Sequence, residues 1–269
     1  MSDRPIGVID SGLGGLTVLR ALIDLLPDEP VVYFGDTGRF PYGPKPDRDV
    51  IKYAFEMADL LADHDAKLLV VACNRVSSVA LDALRRDYDM PVIGVIEPAL
   101  RAAVQTTQTR RVGVIGTVGT IASGAYQRAA DASGAAVELT CAACPGFAEF
   151  VEAGDVDSQE VHVLAERLLA PVRDAGVDTL VLGCTHYPLL TGVISYVMGD
   201  EVTLVSSADE TAKEVYRVLV HLGLERSDSL PEPEHRFLTT GRPQEFREVG
   251  RRFLGPELDL VDQFAWVGA

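Results

Sequence analysis

Two cysteines occupy matching places in the chain, each directly after a run of apolar residues. Cys73 ends the stretch LLVVAC and Cys184 ends TLVLGC, so both follow strands of the kind that is buried on both faces of a sheet. A single buried cysteine is more often a small core residue than a catalytic group. Two thiols in equivalent places of two similar segments favour chemistry, because polar residues that could hold a small ligand follow each of them.

Three kinds of reaction can be considered for a pair of opposed cysteine thiols. Acyl transfer by a cysteine nucleophile needs only one thiol, and dithiol redox chemistry is less natural for thiols on separate segments. Acid and base catalysis on opposite faces of one carbon uses both, because one thiolate removes a proton and the opposite thiol delivers one, which inverts the centre. An ordinary thiol is only a few per cent ionised near pH 7, so each cysteine then needs a partner that adjusts its proton affinity.

Asp10 and His186 fit the need for such partners. His186 lies two residues after Cys184, and Asp10 ends the apolar run IGVID. Ser11 and the free backbone N–H groups of a helix start follow Asp10 and could bind a carboxylate, although both residues could equally do no more than cap that helix. The stretch DSGLGGLT has neither the third glycine of a dinucleotide-binding loop nor a G-K-[ST] motif, which argues against a nucleotide phosphate.

Other features argue against a metal and a cofactor. Cys141 and Cys144 form CAAC, but a zinc site would need two more ligands, and the sequence has no second CxxC and no HxxxH. A strand end is the simpler interpretation of this pair. None of the four lysines follows a strand in a recognisable pocket, which disfavours a pyridoxal cofactor. We therefore expect neither a metal nor a cofactor.

The composition is that of a globular protein with a strongly negative charge. The 269 residues are 47% hydrophobic and 24% charged, and the formal net charge of −16 argues against nucleic acid as the main partner. No apolar stretch approaches the roughly 18 residues of a membrane span, and the N-terminus shows no secretory signal. We expect a cytoplasmic protein with free thiols and without a membrane partner.

The elements that must position these residues alternate along the chain. Strand-like runs alternate with amphipathic helical stretches, which predicts parallel α/β sheets. The tail has a loop-like composition at 226–235 and helical patterning after it. The predicted strands are 6–10, 31–36, 68–73, 92–96, 111–116, 136–141, 179–184 and 202–207.

The two halves of the chain resemble each other. GVIDSG at 7–12 resembles GVIGTVG at 113–119, and LLVVACN at 68–74 resembles LVLGCTH at 180–186. Ligands of open parallel sheets bind at the carboxyl ends of the strands. Two such domains that face each other would therefore bring both cysteine-bearing edges to one cleft.

A domain boundary is expected near Glu97 and Pro98. The helical stretch that follows SSADETAKEV is expected to return to the first domain, which makes that domain discontinuous. The predicted division is 1–97 plus 210–269 for the domain that carries Cys73, and 98–209 for the domain that carries Cys184.

Six motifs that follow one another between about residues 6 and 220 resemble a known family. DSGLGG, GDTGRFPYGPK, VVACN, GVIGT, VLGCTHYPLL and SSADETAKEV together are similar to the cofactor-independent glutamate racemases of bacterial cell-wall synthesis. The resemblance implies two flavodoxin-like α/β domains related by a pseudo-dyad, with the active site in the cleft between them and usually a homodimer. It also implies interconversion of L- and D-glutamate, which supplies D-glutamate for peptidoglycan.

The resemblance further implies a role for each matching residue. Cys73 would take the proton from D-glutamate and Cys184 the proton from L-glutamate, with Asp10 and His186 assisting their respective thiols. Glu152, in FVEAG, matches a carboxylate that the family keeps near the site. The matching residues expected to hold the amino acid are Asp10, Ser11, Tyr42, Gly43, Asn74, Thr185 and His186, and Arg75 is a further candidate although it does not match the family. In the Pro/Gly loop FPYGPK, the pair Tyr42-Gly43 suits a substrate wall or a plain turn equally well.

Arg75 departs from the family pattern, which usually has Thr-Ala or Ser-Ala after Cys-Asn, with a hydroxyl that helps to bind a substrate carboxylate. Arg75 could replace that hydroxyl by pairing with the carboxylate bidentately, or it could fill the pocket because of its size. A cation beside Cys73 would also weaken that residue as a base.

Two alternatives to glutamate racemisation follow from this departure. One is a racemase of aspartate or another small acidic amino acid, and the other is a racemase-like protein that binds without turnover. Some family members are linked to inhibition of DNA gyrase, which is consistent with a binding role. The short N-terminus lacks the extension of members that a peptidoglycan precursor activates, so we expect no such activation.

Overall fold

The computed structural model of the chain describes residues 2–227 and 229–266, so position 228 of the predicted loop 226–235 lies outside it. The strands are β1 (Ile6–Asp10), β2 (Val31–Gly35), β3 (Leu68–Val71), β4 (Val92–Gly94), β5 (Arg111–Gly116), β6 (Glu138–Ala143), β7 (Thr179–Gly183), β8 (Thr203–Ser206), β9 (Arg236–Thr239) and β10 (Val261–Gln263). The α-helices are α1 (Leu16–Leu25), α2 (Asp47–Asp63), α3 (Asn74–Asp87), α4 (Ile96–Thr106), α5 (Val118–Ala122), α6 (Ala125–Ser133), α7 (Phe147–Ala153), α8 (Gln159–Asp174), α9 (Thr191–Met198), α10 (Ser207–Leu222) and α11 (Pro243–Leu254).

Two parallel sheets organise the fold. The first has the strand order β10-β9-β2-β1-β3-β4 and the second has the order β6-β5-β7-β8. The arrangement β2-β1-β3-β4 therefore repeats as β6-β5-β7-β8, with every neighbouring pair parallel. This confirms the predicted fold class, and the internal similarity of the sequence corresponds to the same strand order in both sheets.

The central strands are apolar throughout because helices cover both faces of the sheet. In β3, Leu68 and Val70 belong to the core cluster that contains the apolar residues of α1. Leu69 and Val71 belong to the cluster formed with α2 and α3 on the opposite face. Successive side chains of a strand point to opposite faces, so a doubly covered strand needs an unbroken apolar run rather than an alternating one.

Helices α4 and α10 lie at the connections between the two sheets. The predicted boundary residues Glu97 and Pro98 lie in the first turn of α4, whose Ile96 and Ala99 pack with the apolar residues of the second sheet. Helix α10 packs against both α1 and α4. The division into 1–97 plus 210–269 and 98–209 stays a prediction.

The tail adds two strands that sequence analysis did not predict. Strand β9 pairs with β2, and β10 pairs with β9, so residues 236–263 complete the edge of the first sheet. The helical patterning of the tail corresponds to α11 alone. The interpretation of the tail was therefore wrong for β9 and β10, since strands of four and three residues carry too little pattern to be recognised. In the described part of the chain, no helix combines the length and the apolar character needed to cross a membrane.

Candidate active site

Cys73 lies two residues beyond the end of β3, at the N-cap of α3 rather than in the predicted strand 68–73. Its side chain is buried, and Sγ donates a hydrogen bond to Ser11 Oγ at 3.4 Å. Burial and the negative charge of Asp10 raise the pKa of the Cys73 thiol to about 12, although the Ser11 hydroxyl and the Val76 N–H act in the opposite direction. Cys73 therefore rests as a neutral thiol that holds a proton.

Asp10 connects the two halves of the site, of which the first is formed by residues of the first sheet and its helices and contains Cys73, and the second is formed by residues of the second sheet and its helices and contains Cys184. It ends β1 and is fully buried, and its Oδ1 accepts a hydrogen bond of 2.9 Å from the Gly12 N–H. The Thr185 hydroxyl, from the second half, donates to Oδ2 at 3.5 Å. Burial raises the pKa of Asp10 to about 6, while the charge of His186 and the Gly12 N–H partly offset this effect. Asp10 is thus a carboxylate near neutral pH and can become protonated in mild acid.

Cys184 directly follows β7. Its thiol contacts the imidazole of His186, which in turn contacts the carboxylate of Glu152. His186 Nδ1 lies 3.8 Å from Cys184 Sγ, and His186 Nε2 lies 3.0 Å from Glu152 Oε1 near the end of α7. Burial opposes a charge on His186, but the contacts with Cys184 and Glu152 outweigh it and raise the pKa of His186 to about 10. A cationic imidazole is therefore in direct contact with the Cys184 side chain.

Gly14 explains why the loop after β1 is rich in glycine. A Cβ atom at Gly14 would lie 2.3 Å from Thr185 Oγ1 and 2.5 Å from His186 Nδ1. Only a residue without a side chain lets this loop approach the Cys184 half so closely. The glycines therefore serve the contact between the two halves, in keeping with the absence of a nucleotide motif.

Both thiols line one cavity of about 130 Å³ between the two sheets. This volume suits a small molecule, because pockets for drug-sized ligands measure roughly 300–1,000 Å³. Of the residues predicted for the site, Asp10 and Glu152 do not line the cavity and contact residues that do. The predicted residues that line it are Ser11, Tyr42, Gly43, Cys73, Asn74, Arg75, Cys184, Thr185 and His186.

The loop that carries Tyr42 and Gly43 contributes its backbone and an aromatic ring to the wall. The Tyr42 hydroxyl donates a hydrogen bond to the buried Asp36. The Gly43 carbonyl accepts a hydrogen bond of 3.1 Å from the N–H of Gly119 in the second half. This loop therefore closes one side of the cavity and connects the two halves across it.

Arg75 is built into the wall and does not fill the cavity. Its side chain is 3% exposed, and Nη2 donates to the Lys45 carbonyl at 2.9 Å and to Asp47 Oδ1 at 2.5 Å. Among the described residues, neither Nε nor Nη1 has a hydrogen-bond partner. A Cβ atom at Gly119 would lie 2.4 Å from Arg75 Nε, so the guanidinium packs against bare backbone of the second half.

Asn74 also keeps one polar atom available. Its Nδ2 donates a hydrogen bond of 3.0 Å to the Tyr126 hydroxyl, whereas Oδ1 has no partner among the described residues. Buried polar groups are nearly always satisfied in folded proteins. This oxygen and the two unpaired nitrogens of Arg75 are exceptions in the wall of the cavity, and each of the three atoms is itself buried.

Sequence analysis missed several residues of the site. Thr117 and Cys144 line the cavity, and the rings of Phe40 and Phe253 contact His186, with centroid distances of 5.7 and 5.8 Å. Thr117 could have been found, because it stands in GVIGTVG where Ser11 stands in GVIDSG. Phe253 had no such signal, since the tail shares no motif with the rest of the chain.

Comparisons with known proteins agree with this geometry. The family model described as Asp/Glu/Hydantoin racemase matches residues 6–215. A glutamate racemase of Parafrankia sp. (strain EAN1pec) is 56% identical over 261 residues, which cover 97% of this chain and 94% of that protein. The crystal structure of glutamate racemase isoform RacE1 from Bacillus anthracis matches with a TM-score of 0.94 and 42% identity over 98% of both chains. The glutamate racemase of Francisella tularensis in complex with D-glutamate matches with a TM-score of 0.91 and 34% identity, again over 98% of both chains.

Proposed function

The chain belongs to the Asp/Glu/Hydantoin racemase family, and we propose that it interconverts L- and D-glutamate by proton transfer between two thiols, without a cofactor. The observation that carries this proposal is that two buried thiols, one from each sheet, line the same small cavity, and each has its own ionisable partner. Glutamate is supported as the substrate by the similarity to glutamate racemases, one of them in complex with D-glutamate.

In the direction from L- to D-glutamate, the Cys184 thiolate removes the α-proton. The electron pair of the broken C–H bond remains on the substrate, where the adjacent carboxyl group delocalises it. The Cys73 thiol then delivers its proton to the opposite face of the same carbon. The products are D-glutamate, a Cys184 thiol and a Cys73 thiolate, so charge and protons balance. D-glutamate reacts by the same steps in reverse, with Cys73 as the base.

The partners assist the two thiols in different ways. The imidazolium of His186, held by Glu152, stabilises the Cys184 thiolate before the proton is removed. Asp10 opposes a second negative charge near Cys73 and thereby keeps its proton in place until the carbanion forms. In the reverse direction the thiolate of Cys73 is a strong base for the same reason, because its proton affinity is high.

The remaining wall residues would hold the polar groups of glutamate. Ser11, Asn74, Thr185 and the backbone at Tyr42-Gly43 supply hydrogen-bonding groups around the cavity. Arg75 supplies a buried cation for one substrate carboxylate through Nη1, while Nη2 stays with Asp47. This arrangement differs from a bidentate grip on the substrate, since one of the two terminal nitrogens is already in use.

The test is incubation of the protein with each enantiomer of glutamate in D₂O, followed by NMR and polarimetry. We expect deuterium to enter the α-position of both enantiomers and the optical rotation to decay to zero. Absence of deuterium from both enantiomers would refute racemisation. The same assay with aspartate separates the two acids, because faster turnover of aspartate would favour the racemase of a shorter acid.

Arg75→Thr tests whether the arginine supports or impairs turnover. If Arg75 binds a substrate carboxylate, this variant should raise the KM for glutamate about tenfold or more. If the parent binds glutamate without turnover and Arg75→Thr restores it, the racemase-like binding protein is the better description. Arg85→Thr is the matched control, because Arg85 lies on the same helix but pairs with Glu97 at the surface.

The cellular role that we propose is the supply of D-glutamate for peptidoglycan in the cytoplasm, by a homodimer. Complementation of a bacterial strain that requires D-glutamate tests the supply, and failure by an active, expressed protein would contradict it.

Light scattering tests the dimer, and a monomer at assay concentration would contradict it. A supercoiling assay with DNA gyrase tests the alternative binding role, for which inhibition by the purified protein is required.

A further inference from the structure

The C-terminal helix α11 reaches the half of the site that contains Cys184. Phe253, in its last turn, is 8% exposed, and its ring lies 5.8 Å from the imidazole of His186 at an interplanar angle of 87°. Phe40 contacts the same imidazole at 5.7 Å and 37°. His186 therefore contacts two aromatic rings that come from segments far apart in the sequence. Tilted and edge-to-face contacts of this kind stabilise one orientation of a ring.

The orientation of His186 matters because both of its ring nitrogens are in use. Nδ1 faces Cys184 at 3.8 Å and Nε2 faces Glu152 at 3.0 Å, so a rotation of the ring would break both contacts. The terminal torsion of a histidine has broad energy wells and does not by itself hold such an orientation. Glu152 is 23% exposed, so this pair lies near solvent and needs apolar neighbours that exclude water.

We propose that Phe253 is a positioning residue that holds His186 against Cys184 and Glu152, and thereby supports proton removal from L-glutamate. Phe253 lies outside the cavity lining, so it acts on the substrate only through His186. The inference rests on the proposed function and extends it to a segment that shares no motif with the rest of the site. The C-terminal segment thus completes the first sheet and also serves the thiol of the second.

Helix α11 itself provides a matched comparison. Phe246 lies seven residues before Phe253 and therefore on nearly the same face of the helix. It is also buried, but its ring contacts Tyr33, at 6.1 Å. A leucine at either position removes a buried ring from the same helix, and only the change at Phe253 removes a ring contact from His186.

Isotope effects can assign a defect to one thiol. The enantiomers have equal free energies, so kcat/KM must be the same in both directions for every variant. Proton removal from L-glutamate and from D-glutamate are nevertheless two successive barriers. A variant that weakens the Cys184 half raises the deuterium isotope effect with α-deuterated L-glutamate and lowers the effect with α-deuterated D-glutamate.

The experiment compares Phe253→Leu, Phe246→Leu and the parent with both α-deuterated enantiomers. We expect Phe253→Leu to lower kcat/KM about tenfold, as small misplacements of catalytic groups do, and to raise the ratio of the L- to the D-isotope effect. Phe253→Tyr, which keeps a ring against His186, should retain the parent ratio. An unchanged ratio in Phe253→Leu, or an equal shift in Phe246→Leu, would overturn the inference.

A second measurement does not depend on turnover. The ¹⁵N NMR shifts of the His186 side chain report its contacts, and circular dichroism shows whether each variant is folded. We expect folded Phe253→Leu to change the Nε2 shift and Phe246→Leu to leave it unchanged. If the parent does not racemise glutamate, the proposed function fails. If the parent is active but the Nε2 shift does not respond to Phe253→Leu, the positioning role alone fails.

Discussion

The Cys73 half and the Cys184 half share one order of four strands but differ in the charged groups beside their thiols. The thiol of the first half follows β3 and the thiol of the second follows β7. These two strands occupy equivalent places in the repeated strand order. Beside Cys73 stand a carboxylate, Asp10, and a hydroxyl, whereas beside Cys184 stands an imidazole that Glu152 holds. The duplication placed two similar thiols in one cavity, and the residues around them make the two thiols unlike.

This difference affects how protons are held in the two halves of the site. Burial and Asp10 raise the pKa of Cys73 to about 12, so Cys73 keeps its proton. The contacts with Cys184 and Glu152 raise the pKa of His186 to about 10, so an imidazolium stands beside Cys184. In the mechanism that we propose, a Cys184 thiolate opposite a Cys73 thiol is the state that accepts L-glutamate. After each turnover to D-glutamate, a proton must return from Cys184 to Cys73 by exchange with solvent.

The largest expected effect comes from removal of either thiol. Cys73→Ala and Cys184→Ala should each lower racemisation by about 10²–10⁴-fold, because each removes one acid/base group. Each variant should still exchange the α-proton of one enantiomer in D₂O, since the remaining base can take a proton and return a deuteron to the same face. NMR should show exchange of L-glutamate by Cys73→Ala and of D-glutamate by Cys184→Ala. Exchange of the same enantiomer by both variants would contradict the assignment of the two thiols.

Removal of Asp10 or His186 should lower kcat/KM less than removal of a thiol does. The two variants should shift the ratio of isotope effects in opposite directions. Asp10→Asn and His186→Asn should each lower kcat/KM by about 10²-fold, because the thiols remain but lose the groups that adjust their proton affinity. The ratio of the L- to the D-isotope effect should fall in Asp10→Asn and rise in His186→Asn. A shift of the same sign in both variants would mean that the partners do not serve separate thiols.

Asp10 should also affect stability in a defined pH range. Its pKa of about 6 in the folded chain lies above the ordinary value of 3.8, so the native state binds the proton more tightly than the unfolded chain. The stability linked to this group is therefore complete below about pH 4 and is lost as the pH rises through about 6. Burial of the carboxylate then costs up to about 3 kcal/mol at pH 8.

Asp10→Asn removes that cost, so we expect it to stabilise the chain at pH 8 and to leave the stability nearly unchanged at pH 4. Urea unfolding at the two pH values measures the difference. Equal effects at pH 4 and pH 8 would show that the charge of Asp10 is not the cause.

Protonation of Asp10 should also lower the parent's kcat/KM below about pH 6, because the carboxylate is the form that assists Cys73.

The smallest effect is expected at the third thiol of the cavity. Cys144 lines the cavity and is 1% exposed, and burial raises its pKa to about 12. It directly follows β6 and, among the described residues, has no counterpart to Asp10 or His186 that would assist it. Cys144→Ala should therefore change kcat/KM by less than about threefold in the glutamate assay. A loss comparable with that of Cys73→Ala would mean that the catalytic pair has been assigned wrongly.

Much of the site could be predicted from the sequence because its main features follow from local pattern and strand topology. An unbroken apolar run such as LLVV predicts a strand covered on both faces, and the residue after such a strand lies at a ligand-binding edge. The repeated cysteine then placed both thiols in one cleft, and nine of the predicted residues line the cavity. The predicted strands at 6–10 and 111–116 coincide with β1 and β5, whereas 136–141 is displaced by two residues from β6.

Only the tertiary structure determined the contacts between distant segments. The sequence identified Arg75 as unusual, but its pairing with Asp47 of α2 follows from how α2 packs on α3, and its contact with the bare backbone of Gly119 from how the two halves meet. Strands β9 and β10 carry almost no pattern of their own and form because β2 offers a free edge. The contact of Phe253 with His186 likewise joins residues that share no local signal. Sequence periodicity records which face of an element is buried, whereas the partner of a side chain is chosen by packing in three dimensions.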